Sequence, residues 1–240
     1  MNIKTWQQIV AIIGLSLITC SEALCAANVN VGGQIITIPA PESFSQAITP
    51  RMIKFGELST IPEDRLLAVF GPTSEVEKEA RSGIFQSARY GFAQATRNVE
   101  PHQIPLDRFA KYKADTKSEL LGDMSANDRV EIQKNHDLMA KWIQSGMGTK
   151  IQFGEPKLGA ILIIDESPTS LTMITKMIMP VSSGKGKPKP VEMVVGMSQM
   201  LVKSKVIWIQ VYSGSTSRAD SDWVTRTIVK WTLAVQAANP

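Results

Sequence analysis

Cysteine and histidine are scarce in this chain of 240 residues, which has two of each. Both cysteines, Cys20 and Cys25, lie within the first 25 residues. If that segment is removed, the remaining chain has no disulfide, no thiolate metal site and no cysteine nucleophile. It must then be stabilised by an ordinary hydrophobic core. The two histidines, His102 and His136, belong to no recognisable catalytic motif.

A strong charge of one sign is also lacking, and so is any specific motif for catalysis. The formal net charge is +4, which fits weak attraction to anionic surfaces and requires neither a nucleic acid nor a membrane. The sequence contains no nucleophile elbow, zinc-binding HExxH motif or phosphate-binding loop. Asp220 and Asp222 form a D-x-D pair without a calcium loop, which is typical of a helix N-terminus. Asp165 and Glu166 end a strand, where catalytic and ordinary surface carboxylates both occur.

The first 27 residues have the pattern of a secretory signal peptide. Lys4 precedes an uncharged apolar run at residues 9–19, which is too short for a membrane span, and small residues follow. We expect cleavage after Ala27, with cleavage after Cys25 or Ala26 as alternatives. The remaining residues, 28–240, are predicted to form one domain that is periplasmic or secreted.

A lipid anchor is an alternative to full release. The residues ending at Cys20 resemble a lipoprotein cleavage box, in which the cysteine is acylated. Thr19 departs from the small residue normally found just before that cysteine. We therefore expect a chain without an anchor.

The remaining pattern predicts an α+β domain with an antiparallel sheet. A hairpin is expected at Gly32-Gly33, because two alternating runs flank this pair. A helical turn is expected at residues 43–47, and helices at 105–121 and 125–143. Lysines interrupt the apolar stripe of the first of these two helices, so it is expected to pack only at its ends. Further strands are predicted at residues 65–71 and 89–99, with a helical turn or a loop between them at 74–82.

The last ninety residues predict a four-strand meander followed by a helix. The short connections between the strands favour antiparallel pairing. The helix is expected to be capped by Asp220 or Ser221. Its apolar residues recur at spacings of four, three and four, which places them on one face. The predicted strands cover residues 159–166, 171–181, 191–202 and 206–212, and the apolar helix positions are Val224, Ile228, Trp231 and Val235.

This order of elements resembles PsbP-like domains, in which helices flank an antiparallel sheet. The similarity rests on the hairpin leading into ITIPAPESF, the meander, and the terminal helix ending in WTLAVQAANP. The segments VKSKVIWIQVYSG and ADSDWVTRTIVKWTLAVQAANP also resemble the ends of exported bacterial proteins. The resemblance implies a binding or accessory role more than an enzyme, and it transfers no site residue.

Two groups of residues are candidates for binding. Met173, Met177 and Met179 share one face of a predicted strand, and their thioethers are soft ligands suited to Cu(I). Methionine is also a flexible filler of hydrophobic cores. A loop rich in glycine and proline carries three lysines that could dock an anionic surface or an acidic envelope protein, or be a solvated hairpin tip. These lysines are Lys185, Lys187 and Lys189.

The sequence therefore predicts an exported, non-enzymatic binding or accessory protein that needs no cofactor and binds no nucleic acid. One alternative is a periplasmic Cu(I)-binding protein that uses the methionine cluster. Another is a hydrolase whose carboxylates are distant in the sequence and close in space. A buried methionine face would favour the first interpretation, and an exposed, converging one would favour copper.

Overall fold

A computed structural model describes residues 26–82, 87–121, 126–147, 150–183 and 187–240. Within these ranges, the helices are α1 (Pro50–Ser59), α2 (Thr73–Ser82), α3 (Leu106–Leu121), α4 (Ala126–Met147) and α5 (Arg218–Ala237). The strands are β1 (Ala26–Val31), β2 (Gln34–Pro39), β3 (Phe44–Gln46), β4 (Asp64–Pro72), β5 (Arg89–Thr96), β6 (Ile151–Phe153), β7 (Lys157–Leu158), β8 (Leu162–Ser167), β9 (Ser170–Ser183), β10 (Lys189–Val202) and β11 (Lys205–Ser213). The fold is α+β, as the sequence predicts. No helix in the described ranges is long and apolar enough to cross a membrane.

The central element is an antiparallel sheet of nine strands in the order β3-β4-β5-β11-β10-β9-β6. β7 and β8 also pair with β9, so three short strands share its second edge. The predicted meander is confirmed, because β8, β9, β10 and β11 pair successively. Three-residue β6 and two-residue β7 are too short to give an alternating pattern in the sequence.

The Gly32-Gly33 hairpin is confirmed, but it forms a separate two-stranded sheet. Both glycines have positive φ, at 52° and 86°, which is the backbone of a type I′ turn. The hairpin packs beside α5, where the indole nitrogen of Trp231 donates to the carbonyl of Pro39 at 2.6 Å. The amide of Asn239 also donates to the carbonyl of Thr37 at 2.7 Å. The N-terminal strands therefore divide between two sheets.

Helix α5 covers one face of the large sheet and forms its main core. Val224, Ile228, Trp231 and Val235 are fully buried, as their spacing predicts. Burying a large apolar side chain contributes roughly 1.5–3 kcal/mol, so this stripe is a major source of stability. The predicted cap is wrong: the N-cap is Ser217, whose hydroxyl accepts from the backbone N–H of Asp220.

Helices α1, α3 and α4 lie on the opposite face. The expectation that α3 packs only at its ends is wrong, because Lys113 in its middle is buried. Its ammonium donates to the carbonyl of Ser167 at 2.5 Å and lies 3.3 Å from a carboxylate oxygen of Glu166. Lys117 donates to the other carboxylate oxygen at 2.7 Å. A lysine with an apolar stem can thus occupy a buried stripe when its charged end meets a partner.

The region before β4 also differs from the prediction. Residues 43–47 contain β3 and no helical turn, since Phe44 to Gln46 pair with β4. A helix does form directly afterwards, as α1. Its start has two recognisable signals, because Thr49 accepts from the N–H of Met52 and Pro50 occupies the first turn.

Candidate ligand cavity

An apolar cavity of about 330 Å³ lies between the sheet and helices α1 and α4. Strands β5, β9, β10 and β11 form its floor, and β6 closes one side. Its lining is dominated by aromatic and thioether side chains. The main lining residues are Phe55, Tyr90, Phe92, His136, Met139, Phe153, Met177, Met179, Met193 and Tyr212. A space of this size and composition matches the usual site for a small molecule.

Three methionines converge on one side of this cavity. Met177 on β9 lies directly opposite Met193 on β10, a placement that brings Cβ atoms to roughly 5 Å. Met179 follows two residues later on β9 and lines the same cavity. Each of the three side chains is only partly buried. Two of the predicted methionines therefore reach the cavity, together with Met193 from the next strand.

Met173 has a different environment from the other two predicted methionines. It shares their strand face, but it lies opposite Met197 and is 1% exposed. It is not among the residues that line the cavity. In its position Met173 fills the space beneath the helices, as methionine commonly does in a core.

His136 on α4 adds an imidazole side chain to the lining of the cavity. Its Nδ1 is buried and has no hydrogen-bond partner among the described residues. Its ring lies 5.5 Å from that of Phe153, centroid to centroid. Burial lowers the pKa of His136, and the nearby Asp137 opposes this shift only in part. The ring is therefore neutral near pH 7 and can accept a hydrogen bond at one nitrogen.

Tyr90 and Tyr212 form the aromatic floor. Their rings stack at 4.8 Å with an interplanar angle of 19°, and both lie near Phe92. The hydroxyl of Tyr212 donates to the side-chain oxygen of Gln210. Burial raises the pKa of both tyrosines, so they remain protonated and uncharged. The floor thus offers flat aromatic surface without charge.

Lys187 and Lys189 of the predicted lysine loop are not among the residues that line this cavity. Lys187 and Lys189 are exposed, and Lys185 lies outside the described residues. Lys203 and Lys205 are at the other end of β10, roughly 40 Å away by strand geometry. Lys203 is exposed, whereas Lys205 is 1% exposed and donates to three backbone carbonyls. Lys205 is therefore a structural residue.

Two of the four acidic candidates, Glu166 and Asp220, have structural partners, whereas Asp165 and Asp222 are exposed. Glu166 binds Lys117 and Lys113, and the Lys117 hydrogen bond lowers the pKa of this carboxyl. Asp220 accepts from Ser217 and Arg89. Across the described ranges, no group of three His, Cys, Asp or Glu residues could hold a metal ion. Nor does any carboxylate line the cavity in those ranges.

Several lining residues were not among the sequence-based candidates, although strand alternation could have indicated two of them. Tyr90 and Phe92 alternate along β5, and that pattern places them on one face. Nothing in the sequence showed that Tyr212 of β11 lies opposite Tyr90 or that α4 places His136 above them. These contacts depend on strand order and helix placement.

Comparisons with known proteins leave this site unassigned. No family model matches the chain, and no curated protein matches it. Among known structures, the chain is similar to the Ran-binding protein Mog1p of Saccharomyces cerevisiae, with 14% identity over 90% of each chain and a TM-score of 0.32. A similarity this low assigns neither a fold family nor a function. The structure itself defines the class: an α+β protein with a ligand-sized cavity under its sheet helices.

Proposed function

We propose that this chain is an exported binding protein that holds a small, largely apolar ligand in the cavity. The observation that carries the proposal is an open-sided cavity of about 330 Å³ that methionine and aromatic side chains line. Concave, mostly apolar sites of this size are where small molecules usually bind. An apolar molecule in such a cavity is stabilised, because it makes van der Waals contacts with the lining.

The chemistry of the lining narrows the ligand class. Thioethers and aromatic faces favour an apolar, polarisable body. His136 lines the cavity and its buried Nδ1 has no partner among the described residues, so a ligand that reaches this nitrogen with a hydrogen-bond donor would satisfy it. The imidazole of His136 is neutral and the walls are apolar, so the lining has no charge that could pair with a charged ligand. The ligand is therefore expected to be uncharged.

Binding fits this lining better than catalysis does. Apart from the two protonated tyrosines, His136 is the only titratable group among the described lining residues. An acid–base reaction usually needs a positioned partner for the histidine. Asp137, which adjoins His136 in the chain, is exposed. We therefore assign a carrier or accessory role, which is also what the resemblance to PsbP-like domains implies.

Export belongs to the same proposal and has its own test. Strand β1 begins at Ala26, and Ala27 is 2% exposed. Cleavage after Ala27 would remove two residues that pair with β2, whereas the alternative cleavage after Cys25 keeps them, so we propose a mature chain that starts at Ala26. Intact mass of the protein from the envelope fraction tests this. A chain that retains residues 1–25 in the cytosol would contradict export, and an acylated chain starting at Cys20 would show a lipid anchor.

Cavity binding is tested with N-phenyl-1-naphthylamine, a neutral aromatic probe that carries one N–H donor. We expect saturable fluorescence enhancement with one probe per chain. Met193→Trp fills the cavity and should weaken binding at least about tenfold, since a blocked pocket loses most of its apolar contacts. Leu233→Trp is the matched control, because Leu233 is 57% exposed on α5. Unsaturable binding would contradict the proposal, and so would unchanged binding by a folded Met193→Trp variant.

A second candidate, Cu(I) binding, is favoured by one specific observation. Met177, Met179 and Met193 line the same cavity as His136, whose buried Nδ1 has no hydrogen-bond partner among the described residues. Thioether and imidazole ligands suit a soft monovalent ion. Native mass measured with added Cu(I) should then show one ion per chain, lost in Met177→Leu and Met193→Leu. Met200→Leu is the control, because Met200 is fully buried on the α5 face. If the chain retained Cu(I) and did not bind the aromatic probe, Cu(I) binding would be the supported function and the apolar-ligand proposal would be wrong.

A further inference from the structure

A second cavity, of about 480 Å³, lies on the α5 side of the molecule. It is an open groove between α5 and the chain that leads from β2 into β3. Unlike the apolar cavity, it combines cationic side chains with aromatic and proline surfaces. Its lining includes Glu42, Phe44, Arg89, Trp223, Arg226 and Lys230.

The groove has more positive charge than its own partners neutralise. Arg226 is exposed, and within the described ranges it has neither an ion pair nor a hydrogen bond. Lys230 follows one turn later, and like charges at this spacing repel each other. Lys230 lies 3.0 Å from Glu42, but their side chains are 69% and 77% exposed. Such an exposed pair contributes little stability, so Glu42 is easily displaced.

The floor of the groove is apolar and well fixed. The rings of Phe44 and Trp223 stack with centroids 5.9 Å apart and an interplanar angle of 27°. The guanidinium of Arg89 lies 4.2 Å from the Trp223 ring and donates to Asp220 at 3.0 Å. Arg89 therefore holds the indole in place, and its own charge is already matched.

The rim contains a non-glycine residue with positive φ. Ser43 has φ of 67°, and it lies between Glu42 and Phe44. The backbone N–H of Thr73 holds this conformation by donating to the Ser43 carbonyl at 3.0 Å. Left-handed conformations at such residues cost free energy and concentrate at binding sites. Glu42, which precedes the strained residue, contacts Lys230, and Phe44, which follows it, stacks on Trp223 in the floor.

We propose that this groove binds a small carboxylate with an apolar body. The ligand's carboxylate lies between Arg226 and Lys230 and takes the place of the Glu42 carboxylate. Its apolar body lies against Phe44 and Trp223. Glu42 thus acts as an internal competitor, and the site is independent of the apolar cavity.

The test is titration with 3-phenylpropionate, followed by the indole N–H signal of Trp223 in two-dimensional NMR. The uncharged analogue 3-phenylpropanamide is the matched ligand control. We expect a saturable shift with the acid only. Arg226→Gln should weaken binding about fivefold, as expected for one partly exposed ion pair. Glu42→Gln should tighten binding about twofold to fivefold, because it removes the competitor.

Two further variants separate this site from other effects. Arg218→Gln removes a cation from the first turn of α5 and should leave affinity unchanged, because Arg218 does not line the groove. Met193→Trp blocks the apolar cavity and should also leave it unchanged. Equal binding of acid and amide would overturn the proposal. So would an unsaturable shift, unchanged affinity in Arg226→Gln, or weaker binding in Glu42→Gln.

Discussion

Two adjacent glycines in the N-terminal hairpin should respond very differently to the same substitution. Gly32 and Gly33 both have positive φ, so an alanine at either position is strained by about 1 kcal/mol or slightly more. They differ in the space around them. A Cβ on Gly33 would meet nothing within 4 Å, whereas a Cβ on Gly32 would lie 1.9 Å from the carbonyl oxygen of Glu100.

The contact at Gly32 involves groups that are difficult to move. A Cβ there would also lie 2.6 Å from the ammonium of Lys205. That ammonium donates to the carbonyls of Glu100 and His102 at 3.0 Å each. The carboxylate of Glu100 accepts from the Gly32 N–H at 3.2 Å and from Arg65. Relieving the clash would disturb at least one charged hydrogen bond, which contributes roughly 1.5–3 kcal/mol.

We therefore expect Gly33→Ala to lower the free energy of unfolding by about 1 kcal/mol, and Gly32→Ala to lower it by about 3 kcal/mol or more. Urea denaturation followed by circular dichroism measures both values. Equal destabilisation, within about 0.5 kcal/mol, would refute the argument, because backbone strain alone would then explain both variants.

Further stability predictions concern buried charge. Lys205→Met should destabilise by about 3 kcal/mol, because three carbonyls lose their donor; the exposed Lys203→Met should cost about 0.5 kcal/mol or less in the same urea assay. The hydroxyl of Ser217, together with Arg89, holds the pKa of Asp220 well below its usual range. The Asp220 carboxylate therefore contributes its full stabilisation above about pH 4, which is near the pKa of an aspartate in the unfolded chain. This contribution is lost as the pH falls toward the lower pKa of Asp220 in the folded protein. Asp220→Asn should thus have a lower free energy of unfolding than the parent at pH 7, and the difference should shrink at about pH 2–3. Urea denaturation at both pH values measures this difference. The same difference at both pH values would contradict the role of the Asp220 carboxylate.

Much of the fold follows from local patterns. The hairpin needs two residues with positive φ, and Gly32-Gly33 supplies them. The meander strands have strong apolar content and short connections, and α5 has a regular apolar stripe. Other features were predicted wrongly or not predicted, because they depend on residues that are distant in the sequence. Lys113 and Lys205 have the sequence character of surface residues, and only the carbonyls they meet explain their burial.

The candidate site also has some features that local sequence patterns predict and others that depend on tertiary structure. By itself, the sequence determined which residues share a strand face, because side chains alternate with a period of two. It placed Met177 and Met179 together, and Tyr90 with Phe92. Only the tertiary structure decided that Met193 and Tyr212 lie opposite them, that His136 lies above them, and that Met173 is excluded from the cavity. The physical reason is that strand register and helix packing are set by burial of the whole core, which no local pattern contains.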